Sequence, residues 1–122
     1  MQLTNNFIYE TAYNLYSLFN NNEQYIPVKL NFKIQKNLKT LQACAELIDE
    51  QKAKIGQQYG ELMPEGHYSI SPEKINEANK ELMDLGNIVQ DVMIQTISID
   101  EIDENIKLTP HQMQAIMFMI EE

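Results

Sequence analysis

The chain has no arginine and no tryptophan, one cysteine, two histidines and four glycines in 122 residues. Each shortage closes a class of function. Arginine is the side chain that grips guanine and phosphate with two parallel hydrogen bonds, so a reader of duplex nucleic acid is not expected. A single cysteine, Cys44, cannot form an internal disulfide, which fits a reducing cytosol. Four scattered glycines build no phosphate-cradling loop, and neither GxSxG nor HExxH occurs. His67, His111 and Cys44 stand at no metal-ligand spacing. The run Asp100-Glu101-Ile102-Asp103-Glu104 suggests a calcium loop, but its sixth and twelfth positions hold Asn105 and His111 where glycine and glutamate are needed. No apolar run approaches the roughly 18 residues of a membrane span. The opening Met1 to Asn6 lacks the basic start and apolar stretch of a signal peptide. The expectation is a cytoplasmic, non-enzymatic chain with no cofactor, no metal and no membrane contact.

What is present starts with an apolar fraction of 43%, enough for one ordinary core and a single domain. The net charge of −9 is unevenly spread. Residues 1–60 hold six lysines and five acids, a net +1, and residues 61–122 hold three lysines and thirteen acids, a net −10. The acidic half repels nucleic acid; its charge either only keeps a small protein soluble or faces a basic protein surface.

Ile8, Ala12, Leu15 and Phe19 recur at steps of four and three and predict a helix from Asn5 to Phe19, capped by Thr4 or Asn5 and ended by the turn Asn20-Asn21-Asn22. Tyr9, Tyr13 and Tyr16 form a second stripe, read as a core or oligomer contact or as a base-stacking face. A second helix runs from Pro27, at a first helical position, to Tyr59, with Gly60 at C′. Leu30, Ile34, Leu38, Leu41, Ala45, Ile48 and Ile55 share one face of it. Val28, Leu30, Phe32 and Ile34 also alternate as in a strand, but the helical period accounts for more residues. Such a rod is roughly 45–50 Å long, more than the first helix can cover, so a partner subunit is expected to cover the rest.

Beyond Gly60, Pro64 and Gly66 mark a turn and His67 to Ile70 a short strand. Ser71, as cap, and Pro72 open a third helix that turns Ile75, Ala78, Leu82 and Leu85 inward and stops at Gly86. Val89 to Ile99 reads as a strand, Asp100 to Glu104 as an acidic connector, and Thr109-Pro110-His111-Gln112 as a capping box opening a last helix. That helix carries Met113, Ile116, Met117 and Ile120 inward, and Met113, Met117 and Met119 with Phe118 read as ordinary core and subunit contact or as an adaptable binding surface. The fold expected is α+β and mostly α. It is a long helical hairpin over residues 1–60, followed by an acidic part over 61–122 with a third and a C-terminal helix and a small two-strand β element.

Only one basic cluster occurs. Lys29, Lys33, Lys36 and Lys54 share a flank of the second helix, with Asn31, Gln35 and Asn37 beside them. This is a solvated face or an anion-binding stripe. In the second case Lys29, Lys33 and Lys36 neutralise phosphates, Asn37 adds a hydrogen bond, and Tyr9 or Tyr13 stacks on a base.

Several stretches resemble a family of small phage and prophage proteins of Gram-positive hosts. They are Leu3-Thr4-Asn5, Tyr25-Ile26-Pro27-Val28-Lys29 running on to Ile34-Gln35-Lys36-Asn37, Gln58-Tyr59-Gly60, Asn79-Lys80-Glu81-Leu82 and Phe118-Met119-Ile120-Glu121-Glu122. The resemblance implies a phage accessory or virion-assembly protein acting in the host cytoplasm. The expected function is an oligomeric antagonist of host antiviral defence that sequesters a nucleotide immune signal or blocks a defence protein. A virion structural or tail-assembly protein is the alternative.

Overall fold

A computed structural model describes residues 1–20, 24–102 and 106–121. Asn21 and Asn22 of the expected polar turn, and Asp103 and Glu104 of the acidic connector, lie outside the described residues. The architecture is α+β and mostly helical, and two helices dominate it. Helix α1 (Asn5–Phe19) starts where Thr4 Oγ1 accepts the Phe7 N–H at 3.1 Å, and it buries Ile8, Ala12, Leu15 and Phe19. Helix α2 (Val28–Tyr59) returns antiparallel and buries Leu30, Ile34, Leu38, Leu41, Ile48 and Ile55, while Ala45 is half-buried. Its two ends differ from expectation. Pro27 is the cap residue just before the helix, with ψ near 142°, and lies outside the helical turn. Gly60, with φ −125°, is extended; it leads the chain directly into strand β2 (Gly60–Leu62) instead of closing a left-handed turn.

Among the described residues, three two-stranded ladders replace the single β element expected. Strand β2 pairs antiparallel with β3 (Tyr68–Ile70) across a turn in which Gly66 takes φ +94°, a conformation that other residues rarely adopt. Strand β1 (Gln2–Thr4) pairs antiparallel with β4 (Val89–Asp91), and β5 (Ile97–Ser98) pairs in parallel with β6 (Ile120–Glu121). The strand expected over Val89 to Ile99 is therefore split. Between its halves, the backbone at Gln95 bonds to the side chain of Asn37 in place of a neighbouring strand.

Helix α3 (Ile75–Asn87) begins one turn later than expected. Ser71 does not cap it; its carbonyl accepts the Lys74 N–H at 3.0 Å, closing a turn, and the helix follows. Ile75 sits in the opening turn and is exposed, Ala78 and Leu85 are buried, and Leu82 is partly so. Gly86 lies within the helix rather than after it. It leaves room for Asn6, whose Cγ would stand 2.7 Å from a Cβ placed there. Beside it the buried Asn5 donates to Leu85 O at 2.8 Å and accepts from Gln90, tying the start of α1 to the end of α3.

Helix α4 (Pro110–Ile116) opens on the expected capping box, with Thr109 Oγ1 accepting from Gln112 N and Gln112 Oε1 accepting from Thr109 N. Gln112 is also buried, and its Nε2 donates to Leu18 O at 2.9 Å, locking α4 across the end of α1. After Ile116 the chain tightens into a 3-10 turn, Met117–Met119. Three residues per turn in place of 3.6 advances the phase, so Met119 enters the core and Met117 is left exposed. One apolar cluster joins α1, α2, α3 and α4, so both charge halves share a core.

Candidate functional site

Helix α1 has three faces. Ile8, Leu15 and Phe19 enter the core, Tyr9, Tyr13 and Tyr16 lie against one side of α2, and Phe7, Glu10, Thr11, Asn14, Ser17 and Leu18 look towards α4. The third face is set by steps of three and four, which keep side chains on one line of a helix. Opposite it stand His111, Gln114, Ala115, Met117 and Phe118. Between the two lies a cavity of about 630 Å³. That is within the range of roughly 300–1,000 Å³ found for ligand pockets. The rings of Phe7 and Phe118 meet edge to face at one end, centroids 5.3 Å apart and planes at 82°. Leu18, Ala115 and Met117 add apolar wall, and Thr11, Asn14, Ser17 and Gln114 add neutral hydrogen-bonding groups. The ionisable groups lining it are Glu10 and His111, and no lysine is among them. The groove therefore suits an occupant with an apolar body and hydrogen-bonding edges, and it offers no ammonium group to a phosphate.

The sequence-predicted site residues fall into separate places. Lys33 is not a free cation: its Nζ donates to Glu101 Oε1 at 2.9 Å, to Oε2 at 3.0 Å and to Thr96 O at 3.0 Å. The Lys33 ammonium and the Ser98 N–H hydrogen-bond the Glu101 carboxylate and hold its pKa below the ordinary value, against the opposing effect of burial. Asn37 is fully buried and is not a ligand group. Its Oδ1 accepts from Gln95 N at 2.7 Å, its Nδ2 donates to Gln95 O at 2.9 Å, and Nδ2 also lies 3.1 Å from Met119 Sδ. Lys29 and Lys36 are exposed. Lys54 lies roughly 30 Å along the helix from Lys33.

The tyrosines belong to the opposite flank of α2. Tyr9, Tyr13 and Tyr16 line a shallow depression of about 250 Å³ with Ala12, Gln42, Ala45 and Asp49. Asp49 is about 160° round the helix from Lys33, so no ligand of nucleotide size touches both groups. Tyr9 is already engaged. A hydrogen bond to Asp49 raises its phenol pKa, helped by the carboxylate charge and by burial, and Lys52 Nζ stands 3.8 Å over its ring. Tyr13 is 71% exposed and open to solvent.

Sequence reasoning missed the groove between α1 and α4 as a site. One signal pointed towards it: Met117 and Phe118, flagged as adaptable surface, both line it. Met113 and Met119, flagged with them, face the core instead. The α1 side was silent, because a polar helix face of Asn14 and Ser17 reads as solvated until α4 is laid over it.

Among the described residues, no three His, Cys, Asp or Glu side chains converge as a metal site, and no helix is long and apolar enough to cross a membrane. Comparisons with family models, with curated proteins and with solved structures return no match to this chain.

Proposed function

We propose that the chain is a non-enzymatic phage accessory protein that acts by binding in the host cytoplasm, as an oligomeric antagonist of antiviral defence that blocks a defence protein. The phage association and the defence role rest on the motif resemblance given above. The mode of action rests on the groove between α1 and α4. It is large enough for several side chains of a protein segment, mixes aromatic wall with amide and hydroxyl groups, and is lined by a carboxylate but no lysine. In a chain of net charge −9, such a groove favours a basic segment over an anion. Nucleotide sequestration is disfavoured by the same observations, since Lys33 and Asn37 are held by residues 95–101.

Ala115→Trp tests the reading, because a large ring on that wall fills the groove while the buried Ile116 beside it is untouched. Expressed in a host armed with a defence system, the wild-type chain should restore plating of a sensitive phage and capture a protein of that system. The Ala115→Trp variant should do neither, with its helical circular dichroism unchanged. A variant that protects the phage as well as wild type removes the groove. Stoichiometric uptake of a cyclic nucleotide in native mass spectrometry replaces protein blocking with sequestration, and co-purification with virions replaces both with the assembly role.

A further inference from the structure

The face of α2 turned away from the core carries three large apolar side chains in water. Val28 is 81% exposed, Phe32 66% and Leu47 51%. Isolated exposed apolar residues are ordinary. These three share one stripe, about 100° wide, with Lys36, Ala43 and Glu50, all of them exposed. The stripe is also polar along its length. Lys29 and Lys36 charge its first half, and Glu46 and Glu50 charge its second. Phe32 and Leu47 lie equally far from the point between Lys39 and Thr40, and so do Lys29 and Glu50. A strip with that symmetry complements itself when a second copy is laid on it in the opposite direction.

We propose that the chain forms a two-fold homodimer through antiparallel packing of the outward faces of α2. The axis passes between Lys39 and Thr40. Phe32 then packs on Leu47 of the partner subunit and Lys29 meets Glu50 of the partner subunit, each contact occurring twice because the interface is isologous. Lys36 lies within a turn of Glu46 of the partner subunit. Charge selects the antiparallel register: a parallel arrangement stacks lysine on lysine and glutamate on glutamate. The seam from Val28 to Glu50 is only about 33 Å long and one helix wide. That places the dimer among the small, weak interfaces, so it forms in the micromolar range. Lys39, nearest the axis, approaches its own copy and opposes association. The inference rests on the oligomeric part of the reading above and is independent of what the groove between α1 and α4 binds.

Sedimentation velocity across about 5–200 μM tests it with charge-reversed variants. Lys29→Glu with Lys36→Glu makes the stripe wholly acidic, and Glu46→Lys with Glu50→Lys makes it wholly basic. Each variant alone should raise the dimer Kd at least about tenfold. An equimolar mixture of the two should restore a heterodimer, with circular dichroism reporting unchanged helix throughout. Phe32→Ser should weaken the dimer without altering charge, and Lys39→Gln should tighten it a few-fold. Variants that associate as wild type does, or a mixture that stays monomeric, overturn the seam. In the first case the oligomer is left to another surface. A wild-type chain that remains monomeric at the highest concentration overturns both the seam and the oligomeric reading.

Discussion

Along one flank of α2, Lys33 and Asn37 reach across to residues 95–101 and hold them through five hydrogen bonds. About 60° round the same helix, Lys36 is exposed. It makes no ion pair among the described residues. Helical spacing gives the two lysines nearly the same address. Their fates differ because the segment around Glu101, 68 residues away from Lys33, is laid over one of them and not the other. A cationic stripe read from spacing thus contains an internal strut and a free charge side by side. Only the free part remains available to a partner.

On the held side of α2 the largest effect is expected at Asn37. Its carboxamide supplies a donor and an acceptor to Gln95, standing in for the neighbouring strand that the backbone there lacks. Asn37→Leu keeps the volume close and leaves the N–H and C=O of Gln95 without those partners. Unpaired groups cost about 1–3 kcal/mol each where water is excluded, and Gln95 is half-buried, so a loss of about 1–3 kcal/mol is expected in urea unfolding. A loss below about 1 kcal/mol would mean that water replaces the carboxamide and that the segment is not pinned there. Lys36→Leu, on the free side, should change stability by less than about 0.5 kcal/mol.

Helix α1, the apolar stripe of α2 and both ends of the Thr109–Gln112 capping box were legible because each signal lies within a turn or two of helix. Thr4 caps Phe7, three residues on, and Leu30 to Ile55 repeat a local period. The missed features are contacts between distant segments. Nothing near Asn37 announces Gln95, nothing near Gln112 announces Leu18, and the face formed by Asn14 and Ser17 acquires a wall only when α4 docks. The start of α3 failed for a related reason. Ser71-Pro72 has the chemistry of a helix opening, yet the same residues also satisfy a turn, and the turn formed. Of the six residues expected to bind a ligand, four remain exposed, and they lie on two faces of the hairpin that do not meet.

Lys33 and Glu101, on the same held side, carry a smaller effect. Both side chains are about 30% exposed, so solvent screens the pair and its loss in Lys33→Met should cost only about 0.5–1 kcal/mol. The more telling measurement is acid unfolding. The folded state holds Glu101 below its ordinary pKa of 4.5. The pair's contribution is therefore complete above that ordinary value and is lost as pH falls through the lower, folded one. Glu101→Gln should flatten the decline of stability in that acid window and leave the slope between pH 6 and 8 unchanged. An acid limb identical to wild type would show that the carboxylate is not held by Lys33 in solution.

The smallest effect expected is at Lys36 and Lys39, and it discriminates because it depends on concentration. Exchanging either for glutamine at about 1 μM should leave the unfolding free energy within about 0.5 kcal/mol of wild type, since both side chains are exposed and neither makes an ion pair among the described residues. At a hundredfold higher concentration the two should part. A second copy on α2 stabilises the folded state by mass action. Lys36→Gln, which removes an attractive contact, should then lower the midpoint relative to wild type, and Lys39→Gln, which removes a repulsive one, should raise it. A covering segment within the same chain could give a loss at Lys36, but that loss would be the same at both concentrations. A simple solvated face would give none at either. Opposite signs at adjacent lysines, appearing only when the chain is concentrated, follow from a two-fold axis beside Lys39.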